Sequence, residues 1–169
     1  MLKSQDILVL LKIVAIREKP WTYNQLAVEL FMSPSEVHAA VKRAISAHLV
    51  NIIQNGIHVN LSTLEEFIVH GIRYVFFPER GEITRGIPTI YTVAPLDSMP
   101  SSDELLPVWP DSMGKTRGAS FSPLYRSAPK AAMKDQALYE LLALVDAIRG
   151  GRSRERAMAI DEIRQRFKQ

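Results

Sequence analysis

The stretch that decides the fold runs from Trp21 to Leu61 and reads WTYNQLAVELFMSPSEVHAAVKRAISAHLVNIIQNGIHVNL. Within it, Ser33 precedes Pro34 and is followed three residues later by Glu36. At this spacing the serine hydroxyl can accept a hydrogen bond from the backbone N–H of the glutamate, and the glutamate carboxylate can accept one from the backbone N–H of the serine. Proline suits the first helical position because no N–H is needed there. The pattern predicts a helix from Pro34 to about Ala47.

The predicted helix has one apolar face and one mostly polar face. The apolar positions recur at helical spacing and are Val37, Ala40, Val41, Ala44 and Ile45. The opposite face carries Ser35, His38, Ala39, Lys42, Arg43 and Ser46. One face therefore suits a core and the other suits water or a partner.

A shorter helix precedes this one. Thr22 stands three residues before Gln25 and predicts the shorter helix's start. Only Met32 and Ser33 separate the two helices, so the chain must turn sharply between them.

A hairpin follows the second helix. Asn55-Gly56 separates the β-prone segments 49–54 and 57–61. Asn-Gly is the strongest short hairpin signal, because both central residues of the turn need positive φ. Two helices joined by a tight turn and followed by a hairpin predict a winged helix-turn-helix. In that fold the second helix lies in the DNA major groove, and the hairpin is the wing.

The phrase SPSEVHAAVKRAISAHLV, residues 33–50, resembles the recognition-helix segment of bacterial winged-helix regulators of the MarR and related types. The likeness covers about the first 60 to 75 residues. It departs at His48, where the family usually has glycine, so we expect a left-handed backbone there. It also departs at Ala39, near which the family often has arginine. The resemblance implies base readout by residues at the positions of Ser35, His38, Ala39, Lys42 and Arg43.

The candidate DNA-binding residues lie on this helix and on the wing. We predict that Lys42 and Arg43 contact phosphate or guanine, and that Ser35 and His38 contact base edges. The alternative, an ordinary solvated helix face, is less favoured given the turn and hairpin around it. The complete candidate set is Ser33, Ser35, His38, Ala39, Lys42, Arg43, Asn55, Gly56 and His58. For the wing residues, contact with DNA and a purely structural hairpin both stay open.

Composition restricts the possible functions. The 169 residues carry a net charge of +3 with a pI near 9.3, which fits nucleic-acid binding but does not by itself indicate it. There is no cysteine, which excludes disulfides, thiolate catalysis and cysteine-ligated zinc. The four histidines, at 38, 48, 58 and 70, lack the close spacing of metal ligands. No catalytic motif stands out, so we expect neither an enzyme nor a metal or other cofactor.

The sequence also bears on location and domain organisation. No apolar run approaches the roughly 20 residues that span a bilayer, and no signal peptide is evident, so we expect a cytoplasmic protein that does not contact membrane. Residues 1–76 are predicted to form the DNA-binding domain, including a first helix over 5–18 and, after a Ser62/Glu65 capping box, a helix over 63–76. The overall class is mainly α with a small β wing (α+β).

Residues 77–134 contain eight of the ten prolines and are predicted to form an irregular extension with short strands at 87–93 and 108–109. Thr84-Arg85-Gly86 recurs there as Thr116-Arg117-Gly118. Arg85 and Arg117 could bind phosphate or acidic groups, although we favour anchoring of their own loops by hydrogen bonds to carbonyl groups. Residues 135–169 are predicted to form a helical hairpin that packs on the first helix, in the same chain or across a dimer.

The middle segment more faintly resembles an extension on some uncharacterised bacterial regulators encoded beside nucleotidyltransferase-type toxins. Our first hypothesis is a homodimeric, sequence-specific regulator of transcription, acting as a repressor or autoregulator on double-stranded DNA. The second is a protein-interaction module, such as an antitoxin that binds a partner toxin directly. The third is a ligand sensor with a pocket formed by residues 77–134.

Overall fold

The computed structural model describes residues 1–101 and 103–169. It is mainly helical with two small sheets, so the predicted α+β class is confirmed. The helices are α1 Ser4–Ile16, α2 Tyr23–Leu30, α3 Pro34–Ser46, α4 Leu61–His70, α5 Ile72–Val75, α6 Ala128–Lys134, α7 Gln136–Gly150 and α8 Ser153–Lys168. The strands are β1 Val50–Ile53, β2 Gly56–Val59, β3 Arg80–Pro88, β4 Pro107–Pro110 and β5 Thr116–Phe121. In the described part of the chain, no helix has the length and apolar character needed to cross a membrane.

The start of α3 agrees with the prediction. The Ser33 hydroxyl accepts a hydrogen bond from the amide of Glu36 at 3.2 Å, and the Glu36 carboxylate accepts one from the amide of Ser33 at 2.7 Å. Thr22 likewise accepts from the amide of Gln25 at the start of α2. Each cap satisfies backbone N–H groups that have no partner inside the helix.

The hairpin forms, but its turn lies one residue earlier than predicted. Gln54 and Asn55 are the central residues, with φ of 49° and 63°, whereas Gly56 has negative φ and pairs with Ile53. This register directs Ile57 of β2 towards the core, and a slip of one residue would direct it away. The positive φ expected at His48 is present, at 60°.

The helix after the hairpin begins earlier than predicted. Asn60, and not Ser62, caps α4, because its side chain accepts from the amide of Thr63 at 3.3 Å. The amide of Asn60 in turn donates to the carbonyl of Leu49, which holds the cap at the end of the hairpin. The predicted single helix breaks at Gly71, after which α5 adds one turn.

The middle segment forms a closed three-stranded sheet. β3 pairs antiparallel with β4 and β5, and β4 pairs parallel with β5. The strand predicted at 108–109 lies within β4, but the one predicted at 87–93 is wrong, because the strand runs over 80–88. Beyond Pro88 the chain leaves the sheet, and Ile90 has φ of 71°.

The two Thr-Arg-Gly triplets lie opposite each other in this sheet. Thr84 is paired with Gly118, Gly86 with Thr116, and Arg85 with Arg117. A methyl group at Gly86 would overlap the carbonyl oxygen of Trp109 in β4. A methyl group at Gly118 would likewise overlap the carbonyl oxygen of Leu106. Both glycines are therefore required by the close approach of neighbouring backbone.

One continuous hydrophobic core includes residues from all three predicted segments. Residues 6–13 of α1 and 141–149 of α7 are buried. α7 packs against α1, α5, α6 and α8 of the same chain. The surplus apolar surface of α1 is thus covered within one chain and is not left for a dimer.

A buried polar network fixes α7 to the closed sheet. The Asp146 carboxylate accepts hydrogen bonds from the Thr89 hydroxyl at 2.7 Å, the Trp109 indole at 2.8 Å and the Arg149 guanidinium at 2.6 Å. Arg149 also donates to the carbonyls of Phe76 and Ser122. Burial raises the pKa of Asp146, and these donors and the Arg149 charge oppose that rise. The network joins residues that are up to 73 positions apart in the chain.

Candidate nucleic-acid interface

The outer face of α3 presents a short row of polar side chains. Ser35, His38 and Lys42 are exposed, and Ala39 is half-buried among them. Ser33 is exposed at the start of the helix, but its hydroxyl is occupied by the cap. The Ser46 hydroxyl, also exposed, donates to the carbonyl of Lys42 at 3.2 Å, which leaves the hydroxyl of Ser35, the imidazole of His38 and the ammonium of Lys42 for a partner.

The His38 ring is held by an aromatic neighbour from the preceding helix. It stacks on the ring of Tyr23, with centroids 3.6 Å apart and an interplanar angle of 20°. Trp21 meets the same tyrosine edge to face at 5.4 Å. The imidazole is therefore oriented before any partner arrives, which reduces the entropy lost on binding.

Arg43 is not available on this face, contrary to the prediction. Its guanidinium donates two hydrogen bonds to the carboxylate of Asp6 in α1, at 2.9 and 2.7 Å. The Asp6 side chain is fully buried and that of Arg43 is 22% exposed. A buried carboxylate needs a charged partner, so Arg43 ties α3 to α1.

The hairpin supplies few groups for DNA. Asn55 and His58 are exposed, and Gly56 is half-buried. The imidazole of His58 lies close to Gly56: a Cβ atom added at Gly56 would be 3.0 Å from the Nε2 atom of His58. Ile52 and Ile53 are 62% and 52% exposed, which gives the hairpin an apolar surface.

Basic residues that the sequence analysis did not select lie beside the start of α3. The Tyr125 hydroxyl donates to the Glu36 carboxylate at 3.2 Å, and the Arg126 guanidinium donates to the same oxygen at 3.3 Å. Several hydrogen bonds to the Glu36 carboxylate, first of all the one from the amide of Ser33, hold the pKa of Glu36 below its usual value. The Arg126 side chain stays 78% exposed, and its charge is paired with that of Glu36.

Two further basic residues lie on the adjacent helix α6. Lys130 and Lys134 are exposed and one helical turn apart. They line a groove of about 480 Å³ together with Phe31 at the end of α2 and Lys115 before β5. The sequence does carry a signal for this group, because its basic residues recur every four positions, at Arg126, Lys130 and Lys134.

The carboxylates around α6 already have partners. Asp135 and Glu29 both pair with the buried Lys12, at 2.7 and 3.2 Å. Asp111 accepts from the amide of Met113 in its own turn. Lys12 thus offsets the charges of Asp135 and Glu29, whereas Asp111 keeps its negative charge in the groove that Lys115, Lys130 and Lys134 line.

Within residues 1–101 and 103–169, no group of three or more histidine, aspartate or glutamate side chains could hold a metal ion. The four histidines lie on different elements or turns.

Comparisons of the chain with models of protein families, with curated proteins and with solved structures gave no match.

Proposed function

We propose that residues 1–76 form a winged helix-turn-helix that binds double-stranded DNA in a sequence-selective way, with α3 in the major groove and the β1–β2 hairpin as the wing. The protein would act as a homodimer and regulate transcription, as a repressor where its site overlaps a promoter. Two subunits would then bind half-sites about one helical turn apart or a multiple of it.

The observation that carries this proposal is the exposed polar face of a firmly capped helix. α3 is held by two capping hydrogen bonds and by the Asp6–Arg43 ion pair, and it presents Ser35, His38 and Lys42 outwards. Hydroxyl, imidazole and ammonium groups are of the kinds that contact base edges and phosphates, and the helix that carries them is held in place. The exposed Arg126 guanidinium lies beside the start of the helix, paired with the Glu36 carboxylate at 3.3 Å.

The test is binding of the purified full chain to its own upstream DNA and to scrambled DNA of the same length, at two salt concentrations. Lys42→Ala is the appropriate variant, because Lys42 is exposed and makes no ion pair within the described part of the chain. Arg43→Ala is unsuitable, since it would also break the contact between α3 and α1. Lys168→Ala, on the exposed side of α8, is the control for loss of one charge.

We expect selective, salt-sensitive binding that weakens in Lys42→Ala and persists in Lys168→Ala. Each lost phosphate contact should lower the salt slope by about 0.9. Equal binding to both DNAs, unchanged in Lys42→Ala, would contradict readout by α3.

A second candidate function is a protein-interaction module, including an antitoxin that binds a partner toxin. The exposed Ile52 and Ile53 favour it, because neighbouring exposed apolar side chains suit a protein partner. Stoichiometric binding of the product encoded beside this protein, lost in Ile52→Ser/Ile53→Ser and retained in Lys42→Ala, would support this candidate over the first.

A further inference from the structure

A groove lies between the end of α2, the helix α6 and the closed sheet. Its volume is about 480 Å³, within the range of about 300–1,000 Å³ that small-molecule sites occupy. Phe31 lines it from the first predicted segment and Tyr139 from the last, and the middle segment contributes residues of β3, of the turn before β5 and of α6. A ligand pocket here would therefore not be confined to residues 77–134.

Hydrogen bonds hold the walls of this groove in place. The amide of Asp111 donates to the carbonyl of Arg85 at 3.1 Å, which ties the turn before β5 to β3. The amide of Gly114 closes that turn by donating to the carbonyl of Asp111 at 3.0 Å. The Tyr139 hydroxyl donates to the carbonyl of Pro88 at 2.5 Å and joins α7 to the end of β3. The groove is thus largely formed before a ligand arrives, as ligand sites usually are.

Much of the lining is apolar. Phe31, Met113 and Met133 are exposed to solvent there, and Ile87 is buried at the end of β3. Clustered exposed apolar side chains mark ligand grooves or contact surfaces, whereas single ones need no explanation. Methionine side chains are flexible and adapt to the shape of what they contact. This lining suits the apolar body of a ligand.

The charged residues of the groove are three lysines and one aspartate. Lys115, Lys130 and Lys134 are exposed, whereas Asp111 is half-buried and accepts a hydrogen bond from the amide of Met113 at 2.8 Å. In the part of the chain that the structure describes, none of the four forms an ion pair. The lysines exceed the carboxylate by two charges, so the groove favours an anion over a cation.

Arg85 and Arg117 do not add to this charge. Gly86 and Thr116 line the groove, and side chains alternate along a strand, so those of Arg85 and Arg117 lie on the other face. Among residues 1–101 and 103–169, neither guanidinium takes part in an ion pair or a side-chain hydrogen bond. The predicted anchoring of their own loops is therefore wrong.

We propose that this groove binds a small organic anion with an apolar body, such as a medium-chain carboxylate. Lys130 and Lys134 are one helical turn apart, so both ammonium groups can reach one carboxylate. The apolar chain of the ligand would lie on Phe31 and Met133. The inference goes beyond the proposed function and does not rest on it, because no step of it involves DNA.

The test follows binding of decanoate to the full chain by NMR of the methionine methyl groups. Met113 and Met133 line the groove, whereas Met1 lies at the start of the chain and Met158 on α8. We expect the methyl signals of Met113 and Met133 to shift and to saturate at a few millimolar decanoate or less, the affinity usual for a probe of this size. The signals of Met1 and Met158 should not move. Decylammonium, with the same chain length and the opposite charge, should bind more weakly.

Two variants change the charge of the groove in opposite directions. Lys130→Gln/Lys134→Gln keeps side-chain length and helix propensity and should weaken decanoate binding by about 2- to 30-fold, as for the loss of two exposed ion-pair partners. Asp111→Asn keeps the acceptor for the amide of Met113 and should strengthen decanoate binding by up to about fivefold. The matched control, Lys19→Gln/Lys168→Gln, removes two exposed lysines outside the groove and should bind decanoate like wild type.

Three results would each overturn the proposal. The first is a shift of the Met1 and Met158 signals as large as that of Met113 and Met133, or a shift that does not saturate, because decanoate would then coat the surface. The second is binding of decylammonium as tight as that of decanoate. The third is an equal affinity for decanoate in wild type and Lys130→Gln/Lys134→Gln, because the lysines would then not recognise the anion.

Discussion

Replacement of Arg43 by alanine should destabilise the protein rather than act on DNA. The guanidinium makes two hydrogen bonds to Asp6, whose side chain is fully buried, so the variant leaves a carboxylate in the core without a cation. Removing one partner of a buried pair costs about 3–5 kcal/mol. Arg43 is 22% exposed and the amide of Lys3 still donates to Asp6, so we expect the lower end, about 3 kcal/mol.

This loss of stability can be measured against the neighbouring residue. For a chain of this length, about 3 kcal/mol corresponds to a fall in melting temperature of roughly 6–12 °C. Lys42→Ala, one residue earlier and exposed, should change the free energy of unfolding by no more than about 0.5 kcal/mol. Thermal and urea unfolding followed by circular dichroism would give both values.

A double-mutant cycle isolates the interaction itself. Asp6→Ala, Arg43→Ala and the combined variant should give a coupling energy of about 2 kcal/mol, as for residues in direct contact. Below its melting temperature, Arg43→Ala should bind DNA with close to wild-type affinity. The reasoning would be refuted if Arg43→Ala melted like wild type and lost DNA binding as Lys42→Ala is expected to do.

Two further substitutions test the packing around α7 and α3. Asp146→Ala should lower the free energy of unfolding by about 3–5 kcal/mol, because it leaves the Arg149 charge buried and removes the acceptor for Trp109; a loss under about 1 kcal/mol by calorimetry would contradict the network. Glu36→Gln should make α3 less stable by about 0.5 kcal/mol at neutral pH, the usual contribution of a carboxylate at a helix N-terminus. The pKa of Glu36 is lowered in the folded protein, so this stabilisation exists above the unfolded pKa and is lost as the pH falls through the folded one. The difference between wild type and Glu36→Gln in unfolding free energy should therefore vanish in acid, and a difference independent of pH would count against the capping carboxylate.

Helix starts were predictable where every partner lies within a few residues. The cap of α3 uses Ser33 and Glu36, and the cap of α2 uses Thr22 and Gln25. The start of α4 was predicted two residues too late, because Asn60 is held as a cap by Leu49 at the other end of the hairpin. A local pattern predicts a helix well only when no distant contact competes with it.

The predicted exposure of the candidate site holds for part of it, and one of its predicted free charges is wrong: Ser33, Ser35, His38, Lys42, Asn55 and His58 are exposed, whereas Ala39, Arg43 and Gly56 are half-buried. Ser35, His38 and Lys42 lie on the outer face, as helical periodicity requires. Arg43 has the same periodicity, but its partner Asp6 lies 37 residues earlier. Sequence spacing within a helix cannot reveal an ion pair with another helix.

The sequence by itself determined α2, α3 and the presence of a hairpin after them, because caps, apolar periodicity and turn residues act over a few positions. Only the tertiary structure decided that the two Thr-Arg-Gly triplets pair in register, that Asp146 joins Thr89, Trp109 and Arg149, and that α1 is covered within its own chain. Strand pairing and buried charge pairs depend on residues brought together from distant parts of the chain, and their energies arise only after the core has formed.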